Sequence, residues 1–394
     1  MKKNFFIEEL NRRGKTDDNA YSLIGTELKR VRMSQSQTLS SVAGDLCSVS
    51  YLCKVEKAQL KPNRYMLNEI CKKLNVSSPK INLLFELKDI LQKMVKSYYL
   101  DDREEILKIY TQCQEFDNYR TKLIDFIYYI YIYQLGKAES IAKELFRITS
   151  VMHDDELGIF IVFHSILKYY EESYMETLDN IYELENYNNV EDTLAKIAAI
   201  LTLECYVKLN SPMTLVCSSK LLDLFLKGAE YSKADYVRYL EGLYMLHNSM
   251  IISANKALQN LQTKEFRYSL EFFIDIKTKK LKEKTYYEKL RPFAKLIYGY
   301  TFHREKYLDT FLKMNKDYFY DCDFSYNIAN YLTCSDDTER YKELSSVVIP
   351  NLSMTNNKVE KLFFLKEYCR ISSKFGRYKN FTKAYASLMG GLED

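Results

Sequence analysis

The chain has 394 residues, 47% of them apolar and 28% charged, which excludes a disordered or fibrous protein and allows a small domain beside a large one. Five Pro and 11 Gly are too few for a β-sandwich or a loop-rich α/β enzyme, and the abundance of Lys, Glu and Leu favours an all-α fold. Nine scattered Cys, an N-terminus unlike a signal peptide and no apolar run near ~20 residues predict a cytoplasmic protein without a membrane span.

Charge is distributed unevenly along the chain. The whole chain is +4, but residues 23–80 hold ten Lys or Arg against four Asp or Glu, and residues 81–394 are net acidic. A basic region of this kind is expected where a protein meets phosphate. Residues 1–22 form an N-terminal extension to which the sequence assigns no function.

Residues 23–80 predict four short helices. Apolar residues recur at helical spacing in each of them. The second helix opens at Thr38 and the third follows Ser48, because both hydroxyls can cap free backbone N–H groups. On the third helix Leu52 and Val55 point inward. The inward residues of the other helices are Ile24, Leu28, Val31, Val42, Leu46, Leu67, Ile70, Cys71 and Leu74.

This order resembles the XRE-type, lambda-repressor-like helix-turn-helix domain. The matching positions are Ile24, Gly25, Leu28, Lys29, Arg32, Ser48 or Ser50, Leu52, Lys54, Val55, Glu56 and Pro62. The resemblance implies a structural ion pair between Arg32 and Glu56. It also implies a DNA-binding set, with bases read from the third helix: Thr38, Ser48, Val49, Ser50, Tyr51, Lys54, Lys57, Lys61 and Arg64. The chain departs from the family with Leu39 in place of a phosphate-contacting Gln and Ala58 in place of Gly.

The rest of the chain alternates helical stretches with polar breaks. Residues 81–100 predict a linker helix, and residues 101–394 predict a tetratricopeptide-like α-solenoid. First helices are expected near Asp102, Ala138, Glu176 and Pro212, and second helices near Tyr119, Glu156, Asp192 and Ser232. Both series advance by 36 to 40 residues, close to the ~34 of tetratricopeptide repeats. Ser211 and Pro212 predict a helix start, and Ser232 with Asp235 predicts a capping box.

One segment of this region favours a strand by local propensity. Phe126 to Tyr133 is rich in aromatic and β-branched residues. We predict a buried helix instead, because Leu123, Ile127 and Ile130 keep helical spacing and the neighbouring segments are helical in phase with the repeat.

The combination of head, linker helix and repeats resembles the Rgg, PlcR, NprR and PrgX group of peptide-pheromone receptors. The resemblance implies a cytoplasmic transcriptional regulator of the quorum-sensing type. It also implies a homodimer that binds an inverted repeat in double-stranded DNA and is controlled by a short signalling peptide. Candidate peptide-binding residues are Tyr206, Tyr239, Tyr244, His247, Asn248, Asn327 and Asn330. For each candidate the alternative of a core position is the stronger one, because a Tyr at helical spacing usually belongs to the core with its hydroxyl at the rim.

No motif of an enzyme is present. The chain has no phosphate-binding loop, no HExxH and no GxSxG, and no cofactor is expected. The acidic run after His153 predicts helix capping and not a metal site. Two alternatives stay open: an interaction adaptor whose repeats inhibit a partner protein, and a prophage or plasmid repressor.

Overall fold

The computed structural model confirms the all-α prediction, since every element within the described residues is helical. These residues are 25, 28–29, 31–33, 35–57, 59–60, 62–75, 78–114, 116, 118–149, 152, 154–185, 191–278, 280, 289–291, 294–295, 297–298, 331, 334, 336–352 and 358–389. No helix within them is both long enough and apolar enough to span a bilayer.

The helices are numbered in chain order. The N-terminal part contains α1 (helical residues 25, 28–29 and 31–33), α2 Leu39–Ala43, α3 Val49–Glu56, α4 Arg64–Lys73 and α5 Ser78–Leu100. The next helices are α6 Arg103–Cys113, α7 Tyr119–Tyr131, α8 Leu135–Phe146, α9 Asp154–Tyr170, α10 Tyr174–Glu185 and α11 Asp192–Lys208. The last are α12 Met213–Lys227, α13 Tyr231–His247, α14 Ile251–Gln259, α15 Lys264–Thr278, α16 Asp337–Glu343, a π-helical turn Leu344–Val348, α17 Ile349–Asn351, α18 Lys358–Lys374 and α19 Tyr378–Met389.

The chain divides into two compact units. The first comprises Met1–Leu167 and Asn180–Ile197, and the second comprises Lys168–Asp179 and Ala198–Asp394. The first unit therefore contains the N-terminal head, made of α1 to α4, together with helices of the repeat region.

The head is a small helical bundle whose helix starts are capped. The side chains of Thr38, Ser48 and Asn63 each accept a hydrogen bond from the backbone N–H three residues further on, at 2.8 to 3.1 Å. Such a cap contributes about 1 kcal/mol to a helix that is short by itself. The buried apolar residues of the head are Leu28, Val42, Ala43, Leu52, Val55, Leu67, Ile70, Cys71 and Leu74.

The segment with strand propensity is helical from Phe126 to Tyr131, as predicted, and forms the C-terminal half of α7. Leu123, Ile127 and Ile130 are all fully buried. Because α7 contacts α5, α6 and α8, apolar side chains are covered on more than one face of the helix. This burial explains a sequence with few polar interruptions. The linker helix α5 packs on α6 and α7 and is therefore part of the packed unit.

A buried charged group joins α7 to α9 in the first unit. The guanidinium of Arg120 donates to the carboxylate of Glu156, and Tyr119 Oη donates to the other carboxylate oxygen at 2.8 Å. Arg120 and Glu156 are both almost completely buried. The group occupies the starts of two predicted second helices, so it fixes how these helices pack.

In the second unit the predicted capping box at the start of α13 is wrong. Asp235 Oδ2 accepts hydrogen bonds from the backbone N–H groups of Gln262 and Thr263, at 2.9 and 2.7 Å, and from Thr263 Oγ1. Its carboxylate is 2% exposed and also contacts Arg238. Asp235 therefore caps the beginning of α15, which lies beside α13, and not the beginning of its own helix.

The repeat is visible in the turns between helices. Tyr133, Glu172, Asn210 and Ser249 all have positive φ, between 49° and 60°, and are 39, 38 and 39 residues apart. The next backbone N–H bonds to a carbonyl five residues earlier, as in a Schellman turn. The intervals fall within the predicted period of 36 to 40 residues.

Removing the charge of Glu156 is expected to destabilise the first unit. Glu156→Gln leaves Arg120 buried without its carboxylate, which costs roughly 3–5 kcal/mol. The measurement is urea unfolding, and the matched control is Glu139→Gln, whose exposed pair with Lys143 contributes about 0.5 kcal/mol or less. Similar unfolding midpoints for the two variants would contradict the structural role of the buried pair.

Candidate nucleic-acid interface

Helix α3 presents two chemically different faces. Leu52, Val55 and Glu56 are buried against the head. On the opposite side Val49, Ser50 and Lys54 are exposed. Because α3 has only eight residues, this division leaves a short exposed ridge with one apolar, one polar and one cationic side chain, on an α-helix, the element that a DNA major groove admits.

An ion pair fixes α3 to α1. Arg32 Nε and Nη2 donate to the two carboxylate oxygens of Glu56, at 2.7 and 2.9 Å, and Arg32 Nη1 donates to the carbonyl of Gln37 at 2.8 Å. The hydrogen bond with Glu56 raises the pKa of Arg32 above its ordinary value. These are the two residues that the helix-turn-helix resemblance pairs, and their side chains are only 12% and 5% exposed.

Two glycines determine the local backbone. A Cβ on Gly25 would lie 2.2 Å from the carbonyl oxygen of Val55, so α1 crosses the end of α3 at a distance that only glycine allows. Gly44 ends α2 with φ of 42° and begins the turn toward α3. Gly25 is a position of the helix-turn-helix pattern in the sequence. Gly44 was not predicted, although its place between two helices was an available signal.

The other predicted DNA-binding residues surround α3 in the chain. Thr38 and Ser48 are exposed caps, so their hydroxyls accept from the backbone and still have a proton to donate. Tyr51 is half-buried, and Lys57 and Arg64 are exposed. Lys61 lies outside the described residues. Ile24 and Ala58, the residue that replaces the Gly of the family, also lie outside them.

Two further accessible side chains of the head were missed by sequence reasoning. Cys53 is half-buried and lies one turn after Val49 on α3. Tyr65 is 71% exposed beside Arg64 at the start of α4. Exposed aromatic residues next to a basic residue are a recognisable signal for nucleic-acid contact, and Tyr65 could have been selected by it.

The predicted peptide-binding residues fall into two groups. Tyr239 is fully buried, stacks on Phe266 at 5.4 Å and lies under the Arg291 guanidinium, and Tyr244 is 6% exposed. These two side chains occupy core positions, and their packing leaves almost no surface for a ligand. Asn327 and Asn330 lie outside the described residues.

The remaining candidates lie near the C-terminal ends of α11 and α13. Tyr206 is half-buried. Asn248 Nδ2 donates to Asn210 Oδ1 at 2.9 Å and to the carbonyl of Tyr244, which joins the two helix ends. Desolvation and nearby lysines, Lys366 first, lower the pKa of His247 to about 4, so its imidazole is neutral at pH 7.

No cluster of metal-ligating side chains occurs among the described residues. His153 lies outside them, and Asp154, Asp155 and Glu156 form the first turn of α9. Acidic residues there are favourable because of the helix dipole.

No family model and no curated protein matches the chain. Three solved structures are similar to it. The apo form of the competence regulator ComR from Streptococcus vestibularis is 18% identical, with a TM-score of 0.37, over 66% of this chain and 99% of that chain.

Bacillus thuringiensis PlcR in complex with the peptide PapR7 and DNA is 13% identical, with a TM-score of 0.38, over 65% of this chain and 95% of that chain. The SHP pheromone receptor Rgg2 from Streptococcus dysgalactiae is 16% identical, with a TM-score of 0.31, over 66% of this chain and 100% of that chain. At these scores no function is transferred to this chain.

The close approach at Gly25 predicts that a Gly→Ala substitution there has a different effect on stability from the same substitution at Gly136. Gly25→Ala is expected to destabilise the head by more than about 1 kcal/mol, because its Cβ collides with backbone. Gly136→Ala, in α8 with no neighbour within 4 Å, is expected to be neutral or to stabilise by about 0.5–1 kcal/mol. Thermal unfolding measures both. Equal effects would contradict the close helix crossing.

Proposed function

We propose that the chain is a transcriptional regulator of the cytoplasm whose head binds an inverted repeat in double-stranded DNA as a homodimer. In this proposal the repeats bind a short signalling peptide that controls DNA binding, and the protein is not an enzyme. The observation that carries the proposal is the rigid α3 ridge, with Val49, Ser50 and Lys54 exposed on a helix fixed by the Arg32–Glu56 pair.

The electrostatics of the head support a polyanionic partner. Lys54, Lys57 and Arg64 are exposed, and the excess of basic residues is restricted to residues 1–80 of the chain. In contrast, the buried charges Arg32 and Glu56 satisfy each other and add nothing to the surface. The exposed cations are therefore available to phosphates, and the affinity would fall steeply with salt.

The peptide part of the proposal depends on side chains at helix ends in the second unit. An extended peptide has a backbone N–H and C=O at each residue, and amide side chains can satisfy both. Asn210 is half-buried and Asn248 is exposed, and their amides already exchange hydrogen bonds. Tyr206 and the neutral imidazole of His247 add a phenol and a ring nitrogen to the candidate set.

The direct test is a mobility shift with the DNA upstream of the gene, with and without synthetic peptides from neighbouring short reading frames. A shift that disappears or tightens with one peptide is the expected result. A head that binds no DNA, together with repeats that capture a protein, would favour the adaptor alternative.

Two lysines on one side of the head are expected to behave differently. Lys54→Ala should relax the preference at one base pair by about 1–3 kcal/mol, because Lys54 is on the base-facing ridge. Lys57→Ala should weaken binding to all sequences and lower the slope of log affinity against log salt by about 1, as one phosphate contact predicts.

The control for both is Lys143→Ala, an exposed lysine of α8 outside the head. Competition binding at several salt concentrations gives affinity and selectivity together. A Lys54→Ala protein with the affinity and selectivity of the wild type would remove Lys54 from the interface.

Asn248→Ala is expected to weaken peptide binding about tenfold, because the peptide loses an accessible hydrogen-bonding partner at the end of α13. Asn255→Ala is the matched control, since Asn255 also donates to a carbonyl four residues earlier but belongs to α14. Calorimetric titration with the active peptide measures both. Equal losses in the two variants would contradict a specific role for Asn248.

A further inference from the structure

Val49 is an apolar residue at an exposed position of the head. It is the first residue of α3, and 43% of its surface is exposed. Both sequence neighbours are serines, so Val49 lies between two small polar side chains at the start of the helix. Ser48 Oγ already accepts the N–H of Tyr51 at 3.1 Å, which turns that hydroxyl toward the helix.

Val49 lies at the start of the helix that the proposed function places in the major groove. A single exposed valine is ordinary on a protein surface. In a helix-turn-helix, however, the N-terminal residues of the recognition helix contact base edges in the major groove. A valine there can neither donate nor accept a hydrogen bond, and the only apolar group that base pairs present in that groove is the C5 methyl of thymine.

We propose that Val49 is a specificity-determining residue that packs against the methyl group of one thymine in each half-site of the bound DNA. The proposal rests on the proposed DNA-binding function and adds the chemistry that Val49 recognises. Lys54, five residues later on the same ridge, supplies a charged donor, for which guanine has the matching acceptors. Each half-site then contains one apolar and one hydrogen-bonded contact.

The test is uracil scanning with the full-length protein. Binding sites are first selected from randomised duplexes, and each thymine of the selected site is then replaced by deoxyuridine, which removes only the methyl group. For the wild type, one position in each half-site should lose about fourfold in affinity, the effect of one buried methyl-sized group.

Three variants assign that loss to a residue. In Val49→Ala and in Val49→Ser, which both lack the γ-methyl groups of valine, the affinities for thymine and uracil at that position should become equal within about 1.5-fold, as expected when one partner of a contact has been removed. Val216→Ala should retain the full fourfold effect, because Val216 is an equally exposed valine, at 47%, on α12 outside the head. Thermal melting establishes that each variant is folded.

The outcomes separate this proposal from the function on which it rests. Selection of a sequence without any methyl-sensitive position, or undiminished sensitivity in both folded Val49 variants, would overturn the role of Val49 and leave DNA binding intact. If the wild type selects no sequence from the randomised duplexes, DNA recognition by the head and the role of Val49 both fail.

Discussion

The head depends on the bidentate contact between Arg32 and Glu56. Helix α3 is too short to be stable alone, so its orientation has to come from tertiary contacts. The guanidinium reaches the end of α3 and the carbonyl of Gln37 just before α2, so one side chain ties three segments together. The charges of the pair are buried, and loss of either partner would leave the other without compensation. The Arg32–Glu56 pair, on the side of α3 that faces the head, therefore fixes the orientation of the exposed ridge.

Much of the head could be predicted because its determinants are local in sequence. Thr38 and Ser48 cap the helices that follow them, and Leu52 and Val55 point inward, as spacing predicts. In the repeats, the starts of α7 and α11 match the predicted Tyr119 and Asp192. Helix α8 starts three residues before the predicted Ala138. Its N-cap residue Gln134 makes no side-chain capping bond, so the sequence contains no capping signal for that start. Only the preceding turn marks that start.

Two features that sequence spacing does not determine have a common physical cause, which is long-range packing. Asp235 has the spacing of a cap for its own helix, yet its carboxylate bonds to backbone 27 and 28 residues away. Tyr239 and Tyr206 are the same residue type on corresponding helices. Phe266 and Arg291 cover Tyr239, which is fully buried, whereas Tyr206 is half-buried. Periodicity identifies the helix and its inward side, whereas the neighbour that fills a position belongs to another helix.

The repeat turns connect the scaffold to the proposed peptide site. Positive φ disfavours residues other than Gly, Asn and Asp, yet Tyr133, Glu172 and Ser249 adopt it, so packing and turn hydrogen bonds maintain these turns without a glycine signature. Asn210 is itself one of the turn residues, and its amide joins Asn248, which precedes the turn at Ser249. A peptide that hydrogen-bonds to these amides would therefore act on the turns that set the spacing of the helices. Peptide recognition and the geometry of the repeat would then depend on the same side chains. A small peptide could in this way shift the conformational equilibrium of the whole repeat region.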